Sequence, residues 1–260
     1  MKAILKAAVA AAVLGASILA AQAEQVRVGI SAEPYPPFSS MDSSGKWVGW
    51  EIEIIDAVCA EAKFDCVLTP VAWDGIIPSL TSKKIDVIMS SMSITKERKK
   101  TIDFSYKYYS DSGYTLAGPK GVAMEPTAEG LKGKILGVQV STNAQVYASK
   151  HFRDSAAEIK TYQTEDEADQ DLVAGRLDAV LASRITIGEF LKSDQGKACC
   201  EIKGTVANDP DIMARGVGAG LRKGDEEIRE KINAAIKAIR ANGKYAEISR
   251  KYFGFDIYGD

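Results

Sequence analysis

Apolar residues along the chain switch between a strand-like and a helix-like spacing, and the order of those switches predicts the fold. Val26-Arg27-Val28-Gly29-Ile30 reads as a short strand. Pro34-Tyr35-Pro36-Pro37-Phe38 comes next, and its prolines forbid both a helix and a central strand, so it is a loop. Ser43-Ser44-Gly45-Lys46 is a turn. From Trp50, residues Ile52, Ile54, Ile55, Val58 and Cys59 keep a mostly helical rhythm. Val67 to Val71 is a second strand. Pro78-Ser79-Leu80 opens a short helix ending near Lys84, and Asp86 to Met89 is a third strand. Strands alternating with helices predict a mostly parallel sheet with helices on its faces.

The pattern then restarts. Lys134 to Val140 is a strand that runs into Ser141-Thr142-Asn143, and a helix from about Ala144 to Lys150 follows. Glu165 to Ala174 is a further helix with Gly175 as its stop, and Leu177 to Ala182 is the next strand. In both halves a short basic turn leads into a strand with Asp at its second position, Ile85-Asp86-Val87 and Leu177-Asp178-Ala179. Two such units predict an α/β protein of two lobes. Ligands of open α/β sheets bind beyond the carboxyl ends of strands, so two facing edges make a cleft. After Val217–Leu221 comes an amphipathic helix with Ile228, Ile232, Ala235, Ile236 and Ile239 on one face. Asn242-Gly243 ends it, and Tyr245 to Phe253 is a last short helix. The stretches Tyr108–Tyr114 and Ala214–Val217 are the expected crossovers. Lobe one is then 24–110 plus 215–260, and lobe two is 111–214.

The first 23 residues stand apart. Lys2 and Lys6, the apolar run Ala7–Ala20 and Ala21-Gln22-Ala23 have the three parts of a cleavable secretory signal peptide, too short for a membrane span. The mature chain is expected to start at Glu24 and to be freely soluble after export. Removing Lys2 and Lys6 lowers 33 basic residues to 31 against 35 acidic ones, so the formal charge of −2 becomes −4. No basic stripe interleaved with aromatics is present, so nucleic acid is not an expected partner. In an oxidising compartment cysteines pair by default. Cys59 and Cys66 are spaced to close a local disulfide, whereas the state of the adjacent Cys199 and Cys200 is left open. This vicinal pair and the single histidine, His151, do not make a zinc site, and no cofactor is implied. His151 reads as an exposed helix residue.

The chemistry concentrates between Ile85 and Arg98. An apolar strand runs into Ser90-Ser91-Met92-Ser93, and Arg98 follows. A guanidinium offers a carboxylate two parallel charge-assisted bonds, with serines as neutral partners around it. Such a cluster suggests capture of a small carboxylate ligand rather than chemistry on it. Tyr35 and Trp73, on loops after strands, suit a wall that is apolar with polar tips. Ser141, Thr142 and Asn143 sit where a helix begins, so their backbone donors can receive an anion.

Several segments match a known family in order and spacing: Gly49-Trp50-Glu51-Ile52-Glu53-Ile54-Ile55, Trp73-Asp74-Gly75-Ile76-Ile77-Pro78-Ser79-Leu80, Ser90–Ser93, Ile94-Thr95-Lys96-Glu97-Arg98 and Lys251-Tyr252-Phe253-Gly254-Phe255-Asp256. Over essentially the whole mature length the chain resembles the periplasmic solute-binding proteins, family 3, that feed polar amino acids to ABC importers. It looks most similar to the lysine-, arginine-, ornithine- and histidine-binding group and its opine-binding relatives. The resemblance implies that Arg98 holds a ligand α-carboxylate, helped by backbone N–H groups near Ser93 and Thr142. It implies that Ser91 helps bind the α-nitrogen, that Ser90 and Ser93 line the side-chain pocket, and that Tyr35 and Trp73 sandwich the ligand. It also implies a monomer that hands its ligand to a membrane permease after a hinge closure.

Two positions depart from the family's basic-amino-acid binders. Those place an Asp in the strand-end region after Asp178 to pair with the α-ammonium, where this chain has Ser183. They place an acid in the first loop, where Ala32 stands here with Glu33 one step along. A buried charge without a partner costs several kcal/mol. The first change favours ligands with a substituted α-nitrogen, such as opines, and Glu33 rescues a basic ligand if the loop turns it inward. The same fold also hosts periplasmic cyclohexadienyl dehydratases. An enzyme needs a general acid in the cleft, for which Glu33 and Glu189 are the loosely placed candidates. A sensor domain is disfavoured because no membrane span or signalling domain accompanies the chain.

Overall fold

The computed structural model describes residues 24–110, 113–213 and 216–259. The expected signal peptide, 1–23, residues 111–112 and 214–215 of the expected crossovers, and Asp260 lie outside the described residues. The first lobe runs β1 (Glu24–Ser31), a small hairpin β2 (Ser40–Met41) and β3 (Trp47–Val48), then α1 (Trp50–Ala62) and β4 (Phe64–Val71). A 3-10 turn (Trp73–Gly75) leads into α2 (Ile76–Thr81), β5 (Val87–Ile88), α3 (Arg98–Thr101) and β6 (Asp103–Tyr109). The second lobe contributes β7 (Tyr114–Pro119), β8 (Ile135–Gln139), α4 (Asn143–His151), β9 (Glu158–Tyr162), α5 (Glu165–Val173), β10 (Ala179–Ser183), α6 (Arg184–Phe190), α7 (Asp194–Cys199) and β11 (Cys200–Thr205). The chain then returns to the first lobe with β12 (Val217–Leu221), α8 (Glu226–Ala241) and α9 (Lys244–Tyr252).

One sheet has the order β4-β1-β5-β12-β6, and the other β11-β7-β10-β8-β9. In each, the central strands are parallel and the strands next to a crossover are antiparallel: β12 against β5 and β6, β7 against β10 and β11. Val26, Val28 and Ile30 of β1 are buried, as are Leu136 and Val138 of β8. The Asp repeated in the two halves has the same task in both. Asp86 accepts the backbone N–H of Arg27 at 3.1 Å, and Asp178 that of Ile135 at 2.8 Å. Each pins the start of one strand to its neighbour, and each is paired with a cation, Arg27 or Lys134.

Packing around α1 fixes the loop that faces the cleft. Gly49 has φ 131°, and a Cβ there would sit 2.3 Å from the Phe38 carbonyl oxygen. That close approach lets Trp50 and Glu51 donate their backbone N–H groups to the Pro37 and Phe38 carbonyls, both at 3.0 Å. Trp50 is fully buried against Phe38, Tyr108, Tyr109, Tyr245 and Phe253, and its indole N–H donates to Ser249 Oγ at 3.0 Å. Ile232, Ala235, Ile236 and Ile239 of α8 bury against the same core. The expected helix stop is present at Gly175, with φ 70°. Cys59 and Cys66 form the expected disulfide between α1 and β4, and Cys199 and Cys200 are also joined.

Candidate ligand-binding site

The strands of both sheets end at a common cleft. From the first lobe it is lined by Ser31, Glu33, Tyr35, Trp73, Ser90, Ser91, Ser93, Arg98 and Tyr109. From the second it is lined by Tyr114, Gln139, Thr142, Asn143, Ala144, Glu165 and Ser183. The cleft therefore brings together every side chain expected from the sequence except Ser141. That residue, with φ 60°, contributes its carbonyl, which accepts from Arg98 Nη2 at 3.3 Å across the lobes.

Arg98 starts the short α3, where its N–H donates to Thr95 Oγ1 at 3.1 Å. Its Nη1 donates to the Ser93 carbonyl at 3.0 Å, and the guanidinium lies 5.4 Å from the centre of the Trp73 ring. Aromatic face and carbonyls hold the cation at the cleft edge in a fixed orientation. Glu33 faces the cleft while Ala32 is exposed. Its Oε2 accepts from Ser31 Oγ at 2.5 Å and from the Trp73 backbone N–H at 3.1 Å, so the loop does turn the acid inward.

The serines are held from behind. Ser90 Oγ accepts the Ser31 N–H at 2.8 Å. Ser91 has φ 50°, a left-handed conformation that costs a non-glycine residue about 1–2 kcal/mol. The fully buried Glu51 offsets that cost. Its Oε1 accepts the Ser91 N–H at 2.6 Å and the Tyr108 hydroxyl, and its Oε2 accepts the Ser91 hydroxyl at 3.1 Å. Burial pushes the Glu51 carboxyl upward, and the Tyr108 and Ser91 hydrogen bonds pull it back.

On the second lobe, Thr142 caps α4. Its Oγ1 accepts from the Gln145 N–H at 3.1 Å and donates to the Gln139 carbonyl at 2.7 Å. The positive end of the α4 dipole thereby faces the cleft. Ser183 caps α6 through the Ile185 N–H at 3.3 Å. Two buried donors on the cleft, Trp73 Nε1 and Asn143 Nδ2, have no hydrogen-bond partner among the described residues. A buried donor left unmade costs about 1–3 kcal/mol, so both favour an acceptor in the cleft.

Glu165 and Glu51 were not singled out in the sequence. A capping box, Thr164 with Glu167, starts α5 and thereby places Glu165 at the cleft; that Thr-x-x-Glu pattern is the signal that marks it. Of the two acids named for the enzyme alternative, Glu33 faces the cleft and Glu189 does not. Glu189 lies in a neighbouring cavity, 2.9 Å from Lys192. His151, exposed on α4 as expected, bonds Asp209 at 2.8 Å, and neither residue lines the cleft. Lys150 at 2.7 Å and His151 hold the Asp209 carboxyl below its ordinary range.

The profile of the bacterial extracellular solute-binding proteins, family 3, matches residues 26–255. The L-arginine-binding protein of Pseudomonas aeruginosa is 43% identical over 253 residues, 97% of this chain and 96% of the relative. The lysine/arginine/ornithine-binding periplasmic protein of Escherichia coli is 38% identical over 246 residues, 94% of each chain. Among solved structures, a Salmonella typhimurium periplasmic binding protein of high arginine specificity superposes with a TM-score of 0.81 at 32% identity, covering 89% of this chain and 100% of that one. A reconstructed ancestral arginine-binding protein bound to arginine gives 0.81 at 34% identity, covering 90% and 100%. The curated relatives are named as binding proteins, and the two-lobed fold is shared with the solved binding proteins. The chain belongs to the bacterial extracellular solute-binding proteins, family 3.

Proposed function

We propose that this protein captures a basic amino acid, arginine foremost, in the periplasm and delivers it to the membrane permease of an ABC importer. One observation carries the reading: among the described residues, a single cleft holds one cation, Arg98, and two carboxylates, Glu33 and Glu165. Arginine and lysine carry the complementary set, one carboxylate and two cationic groups. Arg98 takes the α-carboxylate in a fork, with Asn143 Nδ2 and the α4 N-terminus completing its shell. Glu33 takes the distal cation between Tyr35 and Trp73. Ser91 accepts from the α-ammonium, and Glu165 supplies the second-lobe carboxylate that Ser183 does not. The names of the relatives support this ligand class.

The leader 1–23 is removed on export, and the mature chain acts as a monomer. Lobe one (24–110 and 215–260) binds first, and lobe two (111–214) closes over the ligand about the two crossovers. Closure follows from the ligand's greater affinity for the closed form. Ser183 favours a second reading, an N-substituted amino acid of the opine type, whereas Glu33 and Glu165 disfavour the additional carboxylate of an opine. Thermal shift of refolded mature protein decides between them. Stabilisation by arginine, lysine, ornithine or histidine supports the basic-amino-acid reading. Stabilisation only by opines replaces it.

A further inference from the structure

We propose that Glu51, buried behind the cleft wall, is a positioning residue that makes the Ser91 hydroxyl an obligate hydrogen-bond acceptor toward the ligand; this rests on the basic-amino-acid reading above. A serine hydroxyl has one proton to give and two lone pairs. Ser91 gives its proton to Glu51 Oε2 at 3.1 Å, so only lone pairs remain for the cleft that Ser91 lines. Its backbone N–H is also committed, to Glu51 Oε1 at 2.6 Å. Across the trans peptide the Ser90 carbonyl points opposite to that N–H, away from Glu51. Two acceptors and no donor are what an α-ammonium requires. They complement Glu165, which in the reading above meets the same nitrogen from the second lobe in place of an acid at Ser183.

The arrangement depends on the ionised carboxyl. Glu51 faces three donors, the Ser91 N–H, the Ser91 hydroxyl and the Tyr108 hydroxyl, and no lysine or arginine among the described residues pairs with it. The titratable groups facing it are Tyr108 of β6 and, beside that, Tyr109. Burial raises the Glu51 carboxyl above its usual range, which brings its protonation closer to working pH. A protonated Glu51 donates back to Ser91 Oγ and turns the serine proton toward the ligand nitrogen, where it repels an ammonium.

Glu51→Gln reproduces that reversed state with one bond changed. The amide oxygen takes the place of Oε1 and keeps both of its bonds, while the amide nitrogen takes the place of Oε2 and donates to Ser91 Oγ. Arginine affinity is to be measured by calorimetry for wild type, Glu51→Gln, Ser91→Ala and the double variant. We expect Glu51→Gln to weaken arginine at least tenfold at pH 8. We also expect the gap from wild type to close as pH falls, and Glu51→Gln to add nothing in the Ser91→Ala background. Should Glu51→Gln not fold, the pH profiles of wild type and Ser91→Ala carry the test: Glu33 and Glu165 lose their charge in acid in both proteins, so the loss of affinity should be shallower in Ser91→Ala by the part that Glu51 causes, and equally steep profiles overturn the inference. Additive effects, or a gap that stays constant with pH, make Glu51 merely structural and overturn the inference. Wild type that binds none of arginine, lysine, ornithine and histidine overturns the functional reading and this inference with it.

Discussion

The two walls of the cleft differ in where their polar groups find partners. On the first lobe, Ser90, Ser91 and Glu33 are bonded to the protein itself, through Ser31, Glu51 and the Trp73 backbone. Among the described residues each wall also carries one unmatched buried donor, Trp73 Nε1 on the first and Asn143 Nδ2 on the second, and Asp169 on α5, in the neighbouring cavity, has a buried carboxylate oxygen without a partner. A prebonded wall loses little entropy when a ligand arrives. A wall with unmatched groups gains most when something is brought to it. The larger number of prebonded groups on the first lobe fits the proposed order, recognition by the first lobe and closure by the second.

The comparison breaks most visibly at Arg98, which spans both walls. Arg98→Ala removes the fork and the bond to the Ser141 carbonyl. Arginine affinity should fall at least 100-fold, about 3 kcal/mol, with little change in the far-UV circular dichroism of the folded protein. A paired test sharpens the contrast. Ser90→Ala leaves the Ser31 N–H unmet and should lower ligand-free stability by about 1–3 kcal/mol in denaturant titration. Asn143→Ala removes a donor that the ligand-free protein does not satisfy. It should not lower ligand-free stability, since the cost of the unmade donor goes with it, and it should weaken arginine about tenfold.

The smallest effect concerns the rim of the second lobe. Burial, with Glu165 and Asp166 nearby, pushes the Asp169 carboxyl up to about 8. Its folded-state value lies above the unfolded one, so its contribution to stability is complete below about pH 4 and is lost as pH rises through 8. Asp169→Asn should therefore raise Tm by about 2–4 °C at pH 9 and by progressively less toward pH 4, as read by thermal melts across that range.

Much of this was legible in the chain itself. The alternation of strand and helix spacing located β1, α1, β4, β5, β8, α4, α5, β10 and α8, because each buries an apolar face that its own sequence displays. β9 and β11 escaped notice because Glu158–Tyr162 and Cys200–Thr205 are edge strands with no apolar run; their pairing partners, β8 and β7, make them strands. α6 escaped because Ile185, Thr186 and Gly188 are poor helix formers, and its start is fixed by the Ser183 cap. In the site, Arg98, Trp73, Tyr35 and the serines were visible as residue types next to strand ends. Glu51 was read only as part of a family signature. Its partner Ser91 lies 40 residues away, and no local pattern encodes that contact.

The most direct test of the account compares L-arginine with agmatine, its analogue lacking the carboxylate, by isothermal titration calorimetry on refolded mature protein. Arg98 as the carboxylate anchor predicts that arginine binds and that agmatine binds at least 100-fold more weakly in wild type, with most of that difference gone in Arg98→Ala. Equal affinities for the two compounds in wild type would contradict it.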